Sequence, residues 1–356
     1  MDLSSTTDIL IFIGAIASLI IIHEFGHFIV AKLSNVEVEE FGLGLPPRAA
    51  TLFTWRGTIF SLNWLPLGGF VRPKGENNPD VEGGLAAASP WVRIAVLIAG
   101  PLANLLTAAV LFAVIFIRVG QPIPDQVMVM DVAAESPAAR AGMETGDLIV
   151  FINDRVIDSS LDLREGVAEN LGQETTFVVQ RDNQQVPLVL TPRENPPEGQ
   201  GSIGIMFGNP TQPVPITQAL SLGANEVIQQ SRFILTIPSR IAEGVIAPEE
   251  ARLVGYKGMY DMFQSVQEVD AEVGAPTGTG MLSFFALLSI SLGLLNLLPI
   301  PALDGGRILF VLPEILIRRR VPVEFENIVN TVSISLLILL MIYINVQDFV
   351  NPAQIP

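Results

Sequence analysis

The sequence contains no cysteine. That single absence excludes disulfides, thiolate-held zinc, iron–sulfur clusters and thiol nucleophiles. Charge is also scarce: Asp, Glu, Lys and Arg make up 16% of the 356 residues, against roughly 25% in a soluble domain. Basic residues are the rarer sign, 20 against 36 acidic, and a net charge of −16 argues against a nucleic-acid partner. Histidine is rarer still. The chain has two, His23 and His27, so all imidazole chemistry is confined to one helical turn.

What is abundant is apolar surface. Hydrophobic residues form 49% of the chain. Four segments, Ile9–Leu33, Trp91–Ile117, Met281–Leu303 and Ile328–Val346, are long enough to cross a lipid bilayer, which takes about 20 helical residues. Segment 119–280 differs: it holds 22 acidic and 9 basic residues and reads as an inserted soluble region. The expected architecture is a multi-pass α-helical membrane protein of four transmembrane helices with an inserted α+β domain. Its parts are 1–118, 119–208, 209–280 and 281–356.

The short loops set the orientation. Lys32, Arg48, Arg56, Arg72, Lys74 and Arg93 lie between the first two spans, and Arg307 and Arg318 to Arg320 between the last two. The positive-inside rule makes both loops cytoplasmic and puts 119–280 outside. Residues 41–72 carry β-branched and aromatic runs on either side of Arg56-Gly57, which predicts a membrane-associated β-hairpin, with an amphipathic loop as the plainer alternative. Residues 213–245 predict an amphipathic helix on the outer face, broken at Pro238.

Against this background, I-I-I-H-E-F-G-H-F-I-V (Ile20 to Val30) stands out. On a helix, H-E-x-x-H puts His23 and His27 one turn apart on one face, able to share a zinc ion, with Glu24 beside it to take a proton from water. Two helix histidines that only bond their neighbours would also satisfy the pattern. However, ionisable groups inside a span are rare and are functional by default. A catalytic zinc takes three protein ligands and leaves one position open. With no third histidine and no cysteine, the third ligand must be a carboxylate. Asp304, in N-L-L-P-I-P-A-L-D-G-G-R, is the candidate at similar depth; the alternative is an N-cap for the helix that follows.

H-E-F-G-H together with N-L-L-P-I-P-A-L-D-G resembles the site-2 proteases, zinc metalloproteases that cut other proteins within or near their transmembrane segments. N-W-L-P-L-G-G-F-V (Asn63 to Val71) and A-G-P-L-A-N (Ala99 to Asn104) match the same family. The resemblance implies one Zn2+ held by His23, His27 and Asp304, and Glu24 as general base. It also implies a single-span membrane protein as substrate, cut after a first extracytoplasmic cleavage. Asn104 and Asn296 then either position the substrate strand or serve as helix-packing amides. The chain departs from the family pattern before the third span, where L-V-G-Y-K-G-M-Y-D-M-F stands in place of a clear glycine-proline segment.

The inserted region looks like a PDZ domain on V-M-V-M-D-V-A-A-E-S-P-A-A-R-A-G-M-E-T-G-D-L-I-V-F-I-N-D-R-V. Strands are expected at Val127–Val132, Leu148–Ile152, Thr175–Gln180, Val186–Thr191 and Gly201–Phe207, with a helix over Leu161–Leu171. In such domains a peptide C-terminus or extended segment adds along the last strand, here Ser202, Ile203, Gly204 and Ile205. A domain that only excludes bulky substrates is the alternative. Two rival functions remain at this level: a membrane-anchored PDZ adaptor with an inactive site, and a metal transporter, which would need a continuous polar path.

Overall fold

The computed structural model describes residues 3–197, 199–247, 252–272 and 278–351. The chain opens with helix α1 (Leu3–Leu33), strands β1 (Val38–Trp55) and β2 (Thr58–Pro73), and helix α2 (Pro90–Val119). Next come β3 (Gln121–Pro122), β4 (Val127–Val132), α3 (Pro137–Arg140), β5 (Leu148–Ile152) and β6 (Arg155–Val156). They are followed by α4 (Ser160–Glu169), β7 (Thr175–Arg181), β8 (Gln184–Leu190), β9 (Ile205–Gly208) and β10 (Thr211–Gln212). The last part is helical: α5 (Ile216–Ala242), α6 (Tyr256–Glu272), α7 (Thr279–Leu297), α8 (Asp304–Ile317) and α9 (Val323–Val350). Two compact units result, one from Met1–Ile115 with Ile216–Pro356, the other from Phe116–Pro215.

Among the described residues four helices are long and apolar enough to span a membrane: Thr6–Leu33 within α1, then α2, α7 and α9. The third ends at Leu297, six residues before the apolar run does. Leu298 turns extended ahead of Pro299 and Pro301, which cannot continue the helical hydrogen bonding. Pro238, in contrast, does not break its helix. It lies inside α5, which runs on to Ala242, and the Thr236 hydroxyl donates to the Phe233 carbonyl in the turn the proline loosens. The outer region expected over 209–280 thus holds two helices, α5 and α6; residues 248–251 and 273–277 lie outside the described residues.

The hairpin forms with Arg56 and Gly57 at φ 46° and 81°, the paired positive angles of a two-residue turn that suits strand twist. Both strands fold back, so Phe41 pairs with Phe60 and also with Val71. The hairpin seats on the C-terminal half of α1 through Phe28, Phe41 and Phe60, whose rings lie 5.4–5.6 Å apart. One charge is buried within it. Glu40 accepts from Arg48, Ser61 and Arg72, and Arg48 beside it holds the carboxyl below its ordinary range. At the other end of α1, Phe12 packs with Phe263 of α6 and Phe284 of α7. The buried Asp348 ties α9 to the start of α6 by accepting from Arg252 and from the Gly255 and Gly258 N–H groups.

The second unit is an α+β domain. Its main sheet runs in the order β8-β7-β5-β4-β9, with β6 beside β5 and β3 pairing β10 separately. Val127 and Val129 of β4 and Phe177 and Val179 of β7, at alternate positions, fill the core with Ile149 and Ile152, which flank a register shift in β5. Ser136 caps α3 and Pro137 opens it. The last sheet strand is shorter than expected. It starts at Ile205, not Gly201, because Gly204 takes φ +74° and Ile203 turns into the core. The Ser202, Ile203 and Gly204 carbonyls already accept from Arg193, Ala138 and Ala133. Of the four expected groove residues, only Ile205 stands on the edge strand.

Candidate metal centre

Helix α1 delivers His23, Glu24 and His27, and the break after α7 delivers Asp304. His23 Nε2 lies 3.2 Å from His27 Nε2 and 3.2 Å from Asp304 Oδ2; His27 Nε2 lies 3.3 Å from the same oxygen. Among the described residues this is the one group of three or more histidine and acidic side chains close enough to hold a metal ion. The triangle they form fits zinc. A tetrahedron with edges of that length has its centre about 2.0 Å from each corner, the zinc–nitrogen and zinc–oxygen bond length.

The outer nitrogens of both histidines face α2. His27 Nδ1 lies 2.7 Å from the Val96 carbonyl. A carbonyl can only accept, so Nδ1 carries the proton and Nε2 keeps its lone pair for the metal. His23 Nδ1 lies 3.2 Å from the Asn104 amide nitrogen. Close packing of the two helices makes these contacts reachable. A Cβ at Gly26 would stand 2.3 Å from the Ala99 carbonyl oxygen, and one at Gly100 would stand 2.3 Å from His27 Nε2. Glycine is what the approach requires.

Asp304 is the first residue of α8, and Leu303 before it is the capping position. Its carboxylate is therefore free of the N-cap role and faces the histidines. The turn that presents it is tight: Ala302 takes φ +79°, and its N–H donates to Asn330 Oδ1 of α9 at 3.1 Å. Any Cβ on Gly305 or Gly306 would collide with the carbonyls of Leu297 or Ile300.

Glu24 lies beside this triangle. Its Oε2 accepts the Val71 N–H of β2 at 2.9 Å, and Oε1 makes no hydrogen bond among the described residues. His23, Glu24, His27, Asn296 and Asp304 line one cavity of about 390 Å³, and the ion-paired Arg307 and Glu76 are part of the same lining. That volume admits several waters, each taking about 30 Å³ in the liquid. Asn296, in the cavity lining, donates from its amide to the Leu292 carbonyl of its own helix, and its side-chain carbonyl makes no hydrogen bond among the described residues. Asn104 is fully buried behind His23 and does not line the cavity.

Several members of this site were missed by sequence reasoning. The Val71 N–H and the Val96 carbonyl are backbone groups with no side-chain signature. Asn330 carries a weak signal, as an amide inside an apolar span. Gly26 and Gly100, glycines within apolar helices, mark close approach in the same way.

A metal-sized donor triangle, a carboxylate beside it and a water-sized cavity among membrane-length helices are the features of a membrane metallohydrolase. The family model of peptidase family M50 matches residues 11–340, and the chain belongs to that family, the site-2 protease family its motifs resemble. A candidate zinc metalloprotease of Clostridium perfringens is 34% identical over 339 residues, covering 95% of this chain and 97% of that one. Another from Clostridium acetobutylicum is 30% identical over 352 residues, covering 97% and 98%. The regulator of sigma-W protease RasP of Bacillus subtilis is 27% identical over 425 residues, covering 96% and 97%. The protein is a multi-pass membrane metalloprotease, and zinc is its metal.

Proposed function

We propose that the protein is an intramembrane endopeptidase that cuts the transmembrane segment of a single-span membrane protein after an earlier cut has removed the bulk of its outer domain. His23, His27 and Asp304 hold the zinc. When bound there, zinc polarises the scissile carbonyl and lowers the pKa of water. Glu24, anchored through Oε2, uses Oε1 to take the proton from the attacking water and passes it to the leaving amine, so the peptide bond is exchanged for a carboxylic acid and an amine. Asn296 offers its free carbonyl to a backbone N–H of an unwound substrate. The hairpin strands offer an edge for that extended segment.

The observation that carries this reading is the zinc-sized triangle at membrane depth with Glu24 in the same cavity. The basic loops support a site toward the cytoplasm. The inserted unit, read as a PDZ domain outside the cell membrane, then acts on what approaches, either by excluding bulky partners or by taking a peptide at β9.

The test is to map the cut. Purified protein is mixed with a single-span reporter, with and without a folded outer domain, and the products are sized by mass spectrometry. The proposal expects cleavage inside the apolar segment and only of the trimmed reporter. Cleavage confined to soluble loops, or equal cleavage of both reporters, contradicts it.

A further inference from the structure

We propose that Asn104 is a positioning residue for the metal centre: its side-chain oxygen accepts the Nδ1 proton of His23 and so keeps the Nε2 lone pair directed at the zinc. The proposal rests on the reading of His23 as a ligand and goes beyond it by assigning what holds that ligand.

Three observations support it. First, Asn104 is completely buried in α2, and its backbone is fixed from a third helix, since the Ser289 hydroxyl of α7 donates to the Asn104 carbonyl at 2.8 Å. Second, its side-chain nitrogen stands 3.2 Å from His23 Nδ1, while its side-chain oxygen is buried with no partner among the described residues. An orphaned buried carbonyl is costly, about 1–3 kcal/mol. Third, α2 supplies the group that meets the outer nitrogen of each histidine. Val96 and Asn104 are two helical turns apart and meet His27 and His23, which are one turn apart on α1.

The tautomers then decide which amide atom faces the ring. If the nitrogen donated to Nδ1, a neutral His23 would carry its proton on Nε2 and could not ligate. The amide oxygen and nitrogen occupy nearly equivalent positions and exchange by a half-turn of the amide. With the oxygen toward His23, Nδ1–H has an acceptor, the carbonyl has a donor, the NH2 takes the place the oxygen held, and Nε2 is a ligand. His27 reaches the same state through the Val96 carbonyl. Outer hydrogen bonds of this kind orient ligating histidines and raise their basicity. Asn104 therefore acts behind the ligand, away from the substrate.

The test is zinc affinity of the full-length protein in detergent, by chelator competition, for wild type, Asn104→Leu, Asn104→Asp and His23→Ala. Loss of the acceptor in Asn104→Leu should weaken zinc binding about 10–100-fold, and Asn104→Asp, which keeps an oxygen at that place, should hold it within a few-fold of wild type. A helix-packing amide gives the reverse order, because Leu is tolerated in lipid and Asp is not. That order, or unchanged affinity in Asn104→Leu, overturns the proposal. Unchanged affinity in His23→Ala overturns the ligand assignment and the proposal with it, so the two failures are separable. Wild type supplies a reading free of variant misfolding: with two histidines in the chain, 15N-histidine spectra of the zinc-loaded protein resolve each ring. A solvent-protected Nδ1 proton on His23 that contacts the Asn104 side chain is expected. A His23 ring protonated on Nε2 overturns the proposal.

Discussion

Glu24 and Val71 are joined by a 2.9 Å hydrogen bond across 47 residues, the carboxylate accepting the backbone N–H of a hairpin strand. The proposed general base is therefore held by a β-strand, not by its own helix. Val71→Pro removes that one donor. A hydrogen bond to a charged group is worth about 1.5–3 kcal/mol, so kcat should fall about 10–100-fold while zinc content stays at the wild-type level. Reporter cleavage and metal analysis on the same preparation check both halves.

Gly100 gives a steric test. A methyl group there would lie 2.3 Å from His27 Nε2. Gly100→Ala should displace the ring, lowering zinc affinity and cleavage together, on the order of 10²-fold for a shift near 1 Å. Membrane insertion and helix content by circular dichroism should be unchanged, since alanine is the better helix former.

Asn330 links α9 to the metal through the turn before Asp304. Asn330→Leu leaves the Ala302 N–H without its acceptor, a loss of about 1–3 kcal/mol. The turn should loosen and zinc affinity should drop about tenfold. Ala302→Gly, which removes the strain of a left-handed alanine, should leave zinc affinity close to wild type. Chelator competition on both variants reads the difference.

The soluble unit has its own pH dependence. Burial alone would push the Asp147 carboxyl up, but Arg181, bonded to both oxygens at 2.7 Å, holds it below its ordinary value. A carboxylate depressed on folding stabilises above its unfolded pKa, about 3.9, and that stability is lost as pH falls through the lower folded value. Hydrogen exchange in β5 and β7 of the full-length protein should be steady from pH 7 to pH 5 after correction for intrinsic rates and should accelerate below pH 4. Asp147→Asn should exchange faster at neutral pH and lose that acid-dependent step.

These residues also mark what could be read from the chain. His23, Glu24 and His27 were legible because a helical period of 3.6 puts positions four apart on one face, and polar groups inside an apolar run are conspicuous. Asp304 was legible by elimination, in a chain with two histidines and no cysteine. Val127–Val132 and Leu148–Ile152 form strands over the ranges their alternation predicts. Tertiary contacts were not legible. The Val71–Glu24 and Val96–His27 bonds use backbone atoms identical at every position. Pro238 suggested a break but lies in a helix that continues through it. The strand expected from Gly201 was cut short by Gly204, whose positive φ no alternation pattern records.

The most direct test is cleavage of a trimmed single-span reporter by wild type and Glu24→Gln, run side by side with and without a zinc chelator. The account predicts cleavage by wild type, its loss on chelation and its return with added zinc. Glu24→Gln should bind zinc normally and cleave about 10²–10⁴-fold more slowly. Wild-type cleavage that survives chelation, or Glu24→Gln cleavage at the wild-type rate, would contradict the account.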